Sequence, residues 1–210
     1  MVPATKRLLI WGKTYPELSK KYRETVCTGA CDEAGRPHRI YPVPLRYLPG
    51  GAQYKLWDWI EAPIEKSTVD ARPESFKVAD QDQITGRGPI TTRWDPSGRE
   101  RRDFIFKDPS WHYGCVRDLE AAQVRTKASL GFIKVGAVEK VWLEERPDED
   151  RLKHDEKLKR LSEQSDLFGY DQIDLEFFPY RVKLNWFCGR MQGPAACPGH
   201  KHGRARLGAR

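Results

Sequence analysis

The chain has 210 residues and a mass of 24.3 kDa, the size of one generous domain or two small ones. Mean hydropathy is -0.73, with 39% hydrophobic and 32% charged residues, and the longest apolar run is Leu8–Trp11; this excludes a membrane-spanning helix, which needs about 18 apolar residues, and leaves no apolar segment for secretion. A cytoplasmic protein is expected. Its five cysteines then read as reduced thiols or metal ligands rather than a disulfide framework, and seven tryptophans argue for a folded chain.

The net charge of +7 is unevenly placed. No acidic residue follows Glu176, and Arg181, Lys183, Arg190, Lys201, Arg204, Arg206 and Arg210 account for the whole excess, leaving residues 1–180 formally neutral. Local cation density, more than global charge, attracts phosphate, so the C-terminal segment is the first electrostatic suspect for an acidic partner.

In chain order, Leu8–Trp11 reads as a strand. Thr14 and Glu17 have capping-box spacing for a short helix ending near Tyr22. Residues 25–30 and 39–43 flank the turn-forming Asp32-Glu-Ala-Gly35 and predict a β-hairpin closed by Pro42 and Pro44. Residues 56–66 predict a third strand, weakened at its far end by Pro63. Residues 70–76 and 85–102 read as long surface loops, with one short strand at 103–106. Asp108-Pro-Ser110 opens a helix carrying Tyr113, Val116, Leu119, Ala122 and Val124, with Cys115 on its apolar side as a core residue. Strands broken at Gly136 follow over 132–143. A solvated helix over 148–164 is laced with i, i+4 charge pairs and touches the body through Leu152, Leu158 and Leu161. Residues 181–187 alternate apolar and polar as a last strand. Together these predict an α+β fold: a single domain, residues 1–187, with a bent, mostly antiparallel, small-barrel-like sheet and about three helices, then a basic Cys/His tail over 188–210.

Cys188, Cys197, His200 and His202 fall within fifteen residues, interspersed with glycines and prolines that let a loop curl around an ion. Thiolate and imidazole ligands suit tetrahedral zinc. Cys27 and Cys31 are alternates for the histidines, and a quartet of Cys27, Cys31, Cys188 and Cys197 would suit an iron-sulfur cluster. Arg36, Arg39 and Arg46 surround Tyr41 in the hairpin; guanidinium forks for phosphate and a ring for base stacking make a nucleic-acid platform, to which Lys201, Arg204 and Arg206 add cations. Asp70 and Glu74 flank Arg72 in a proline-stiffened loop. Asp70, Arg72 and Glu74 are the catalytic candidates, the carboxylates for metal-dependent hydrolysis or acid/base work, although Arg72 is expected chiefly as a tether.

Several runs together resemble a family of uncharacterised bacterial proteins of similar length: residues 22–30, Arg39-Ile-Tyr-Pro-Val-Pro-Leu-Arg46, Trp59-Ile60, Asp70-Ala-Arg-Pro-Glu-Ser-Phe76, Ser129-Leu-Gly-Phe-Ile-Lys134 and Cys197-Pro-Gly-His200. The resemblance implies no activity. The functional expectation is therefore a nucleic-acid-associated binding module with a zinc-type tail. A metal-dependent hydrolase or nuclease using Asp70 and Glu74, and a protein-interaction component of a bacterial complex, are the alternatives.

Overall fold

The computed structural model describes residues 3–90, 97–133, 135–168, 175–189 and 201–203, the side chains of 164–168 and 201–203 excepted. Its strands are β1 (Ala4–Lys13), β2 (Glu17–Ser19), β3 (Arg23–Asp32), β4 (Pro37–Val43), β5 (Asp58–Lys66), β6 (Ser75–Val78), β7 (Thr85–Pro89), β8 (His112–Tyr113), β9 (Phe132–Ile133), β10 (Val135–Glu145), β11 (Tyr180–Cys188) and β12 (Lys201–Gly203). Its helices are α1 (Arg99–Ile105), α2 (Val116–Thr126) and α3 (Asp148–Phe168).

Five strands close into a barrel in the order β1-β3-β4-β6-β5, with β5 pairing back onto β1. Four contacts are antiparallel and one, β4 with β6, is parallel. β2 adds to β3 and β7 to β5. Closure follows from period-2 patterning. Leu8 and Ile10 of β1, Val26 and Ala30 of β3, Ile40 of β4, and Ile60, Ala62 and Ile64 of β5 form one interior cluster. Leu9 and Cys31 face outward into a second cluster with Trp59 and Trp111, sealed by Trp11, Phe104 and Phe132. Residues 97–133 thus cover one outer side of the barrel. Gly29 is required there: a Cβ on it would sit 2.7 Å from the Trp11 ring. A three-stranded sheet, β10-β11-β12, forms a separate unit of pairing.

Several local expectations are corrected. Residues after Thr14 form strand β2, not a helix, because a left-handed Arg23 (φ 65°) turns the chain into a hairpin with β3. Pro63 does not end β5. It faces Thr5 of β1 in register, and its carbonyl accepts from Ala79 N–H. Thr85–Pro89 is strand rather than loop, and residues 99–105 are helix α1 rather than loop and short strand. Asp108-Pro-Ser110 opens a single 3-10 turn, with Asp108 accepting from Ser110 N–H, and α2 starts only at Val116. On α3, Leu158 and Leu161 pack against Leu18 and Leu175, whereas Leu152 points to solvent. β11 is followed by a further strand, β12. Gly136 sits at a β10 irregularity opposite Cys188, where a Cβ would come within 2.7 Å of the Cys188 carbonyl.

Candidate functional site

The parallel pairing of β4 with β6 sets Arg39 opposite Ser75, and Arg39 N–H donates to the Glu74 carbonyl at 2.7 Å. That register brings the loop over 67–74 against the outer face of β3 and β4. Asp70 is its hub. Its carboxylate receives Arg39 Nη1 at 3.1 Å, Ser75 Oγ at 2.8 Å, Arg72 backbone N–H at 3.2 Å and the Arg72 guanidinium through Nε at 2.8 Å. The Arg72 hydrogen bonds above all, with Ser75 adding to them, hold the Asp70 carboxyl well below the usual carboxylate range. Arg72 also donates to Ser129 Oγ at 3.0 Å, and Glu74 Oε1 accepts from both the N–H and the hydroxyl of Ser129. Lys66 closes the loop on the Arg72 and Pro73 carbonyls.

Arg72 thus joins Asp70 to Ser129, and the carboxylates of Asp70 and Glu74 are each engaged by side chains of this chain. The Asp70 carboxylate is engaged by arginine and serine, whereas Glu74 spends Oε1 on Ser129 and its buried Oε2 makes no hydrogen bond. A general base needs a lone pair aimed at a substrate proton; Asp70 has none to spare.

Beside this loop, Tyr41 is 39% exposed, with the Arg39 guanidinium 5.2 Å from its ring centroid. Each platform arginine carries a carboxylate partner: Arg36 has Asp32 at 2.9 Å, Arg39 has Asp70, and Arg46 has Glu24 at 3.2 Å. Arg39 thus lies against the Tyr41 ring while its Nη1 is engaged by Asp70. The outer halves of Arg36 and Arg46 remain in solvent, their side chains 65% and 50% exposed. Tyr47, equally exposed, stacks with Arg23 at 4.8 Å. Cys27 lies on the same outer face, half-buried; burial pushes its thiol up, against Arg39 and Arg72 pulling it down.

The proposed metal ligands divide. Cys31 is buried in the aromatic cluster, its thiol aimed at the Leu9 carbonyl and pushed up to about 12 by burial. Cys188 belongs to another cluster, with Cys115, Val116, Ile133 and Trp186. The Cys27, Cys31 and Cys188 members of an iron-sulfur quartet are thus not gathered, and among the described residues no three potential ligands meet. Cys197, His200, Arg204 and Arg206 lie outside the described residues, and of Lys201 and His202 only the backbone, in β12, is described. Sequence reasoning assigned Cys115 to the core and singled Ser129 out only within a longer motif; neither residue has a spacing that announces its partner 73 or 55 residues away.

Residues 4–107 match the family model of a domain of unknown function, DUF8758. The DUF8758 match spans all seven strands of the barrel sheet and α1, and stops short of Cys115, Ser129 and Cys188. No curated protein and no solved structure matches the chain.

Proposed function

We propose that the chain is a nucleic-acid-associated binding module that takes a single strand on the outer face of β3 and β4. The observation that carries this reading is the strand order. Numbered within the barrel alone, β1, β3, β4, β5 and β6 are strands one to five, and the order 1-2-3-5-4 with antiparallel closure describes a five-stranded Greek-key barrel of the oligonucleotide-binding type. Such barrels bind on the face of strands two and three, between the loops joining strands one to two and four to five. Here that face bears Tyr41 and the Arg39 behind it, flanked by residues 14–22 and the tethered loop 67–74. An exposed ring gives a sequence-tolerant stacking surface, and the rim charges Arg36 and Arg46, with Lys201, Arg204 and Arg206 in the basic tail, supply phosphate attraction.

Fluorescence anisotropy with a labelled mixed-sequence single strand tests it. Binding at low salt that Tyr41→Ala weakens roughly 5- to 100-fold is expected, since stacking on one aromatic side chain contributes about 1–3 kcal/mol per base. No binding at low salt would overturn the reading.

A second reading, a protein-interaction component, rests on β10. Among the described residues it pairs on one side only, and Val135, Val138, Val141 and Leu143 are exposed along it. An open apolar edge invites strand addition by another chain. Self-association that Val141→Lys abolishes, in a chain that ignores oligonucleotides, would favour it.

A further inference from the structure

Glu24 shares the parity of Val26 and Ala30 on β3, the residues that build the barrel interior, yet it carries a carboxyl group and is only 2% exposed. Its Oε1 receives the Arg46 guanidinium at 3.2 Å. Its buried Oε2 has no hydrogen-bond partner. A carboxylate oxygen withdrawn from water without a donor bears its desolvation cost uncompensated. Burial chiefly pushes the Glu24 carboxyl up, against Arg46 and Arg23 pulling it down. Glu24 lines a cavity of about 340 Å³, within the range of small-ligand sites, roughly 300–1,000 Å³. The cavity lies at the end of the barrel where β1 finishes, β3 begins, β4 finishes and the chain enters β5.

The lining states what chemistry fits. Val26, Leu45 and Tyr54, which belong to the interior cluster or pack on it, give apolar walls for a flat ring. The Gln53 amide nitrogen donates to the Arg46 and Leu48 carbonyls at 3.0 and 3.1 Å, which leaves its carbonyl oxygen as a second acceptor beside Glu24. Lys13, Arg46 and Lys55 line the same cavity, and Glu24 is the one acid among its described lining residues. Three cations to one carboxylate disfavour an ammonium ligand and favour one with an anionic group. The ligand therefore combines a neutral edge of N–H donors with a negative charge, which describes a nucleotide. Among the bases, guanine sets N1–H and the N2 amine side by side with no acceptor between them. Adenine and cytosine place a ring-nitrogen acceptor beside their amine, and thymine flanks its N–H with two carbonyls; a carboxylate repels each of those acceptors.

We propose that this barrel-end cavity is a guanine-selective base pocket, in which the Glu24 carboxylate accepts from N1–H and the N2 amine while the exposed Lys13 and Lys55 attract the flanking phosphates. The base supplies the donors that the buried carboxylate lacks. The proposal deepens, and rests on, the single-strand reading given above. Arg46 connects the two, since it is a rim charge of the β3–β4 face and also lines the cavity.

The test is fluorescence anisotropy of the full chain at low salt with labelled oligothymidylates of roughly ten nucleotides. The strands differ only at one central position, which is dG, dA, dC, dT or deoxyinosine; the last keeps N1–H and lacks the N2 amine. The dG strand should bind roughly 5- to 100-fold tighter than the dT strand, the discrimination given by one bidentate base contact, with the deoxyinosine strand between them. Glu24→Gln should bring the ratio of dG to dT affinity near one, because its amide sets a donor against the donors of the base. Where Glu24→Gln fails to fold, the wild type decides alone, since a deoxyinosine strand bound as tightly as the dG strand removes the contact to the N2 amine. That result, strands that all bind alike, tightest binding of the dA or dC strand, or a dG preference retained in folded Glu24→Gln would each overturn the base pocket and leave the single-strand reading standing. No binding of any strand overturns that reading and the pocket with it.

Discussion

Glu74 Oε1 receives both the backbone N–H and the hydroxyl of Ser129, each at 2.7 Å, across 55 residues of chain. Glu74 is 5% exposed, so the contact fastens the segment after α2 to a loop of the barrel through a charge-assisted pair shielded from water. Such bonds contribute more than neutral surface ones. Ser129→Ala removes the hydroxyl from both Glu74 and Arg72 and is expected to lower stability by roughly 1–3 kcal/mol. Urea unfolding should show a lower midpoint at unchanged slope; an unaltered midpoint would mean that residues 127–133 are not docked on the loop.

Arg72 links the same loop internally. Arg72→Ala leaves Asp70 with Arg39, Ser75 and the backbone N–H of residue 72, and should cost roughly 1–3 kcal/mol. Arg72→Lys should recover little of this, because an ammonium cannot reproduce the planar fork that holds Asp70 and Ser129 together. The acid limb supplies an independent check. A carboxyl held below its unfolded value contributes stability that is fully present above the ordinary carboxylate range and is lost as pH falls through the folded value. The wild type should therefore lose stability steeply below about pH 4, and Arg72→Ala should show a shallower acid limb. Parallel limbs would contradict the tether.

His38 predicts a second pH effect near neutrality. It is buried against Phe76, with ring centroids 4.8 Å apart, and its Nδ1 lies 2.9 Å from the Arg36 carbonyl, which can only accept. Nε2 is therefore the acceptor for Lys6 Nζ at 3.2 Å. Burial chiefly, and the nearby Lys6, hold the imidazole below its usual value, against the Arg36 carbonyl raising it. The unfolded chain thus takes up a proton that the folded chain refuses, and stability falls as pH drops below about 6.5. Unfolding midpoints between pH 5 and 8 should decline toward acid in the wild type and less so in His38→Gln. Equal slopes would remove the assignment.

Much of the barrel was legible because Leu8–Trp11 is a continuous apolar run and the turn-forming Asp32-Glu-Ala-Gly35 separates residues 25–30 from 39–43. Which side chains face inward, Leu8 and Ile10 rather than Leu9 and Trp11, was not legible in a run that is apolar throughout. What escaped were features set by partners distant in sequence. Thr14 and Glu17 have capping-box spacing, yet pairing with β3 makes a strand after them, an instance of tertiary context overriding local preference. Pro63 looked like a strand end because a proline cannot donate, but its carbonyl still accepts. At the site, the arginines and carboxylates of the Asp70 loop were visible as a cluster. That Asp70 would neutralise Arg39 depends on the parallel β4–β6 register, which no local spacing reports. Cys115 shows the same limit: its neighbour is 73 residues away.

The basic tail gives the nucleic-acid reading a salt signature. With about five phosphate contacts on a single strand, log affinity should fall with log salt at a slope near -3 to -4, and neutralising Lys201, Arg204 and Arg206 together should flatten it by roughly 2. Affinity measured at four or five salt concentrations checks this. An unchanged slope would place the phosphate contacts on Arg36, Arg46 and their neighbours instead.

The most direct measurement of the central claim is photocrosslinking of the full chain to a single-stranded oligonucleotide, followed by trypsin digestion and mass spectrometry. Cleavage after Arg39 and Arg46 isolates Ile40-Tyr-Pro-Val-Pro-Leu-Arg46, the peptide that carries the ring on the β3–β4 face. The account predicts that this peptide bears the nucleotide adduct and loses it in Tyr41→Ala. Adducts confined to peptides of α3 or β10, with Ile40–Arg46 unmodified, would contradict it.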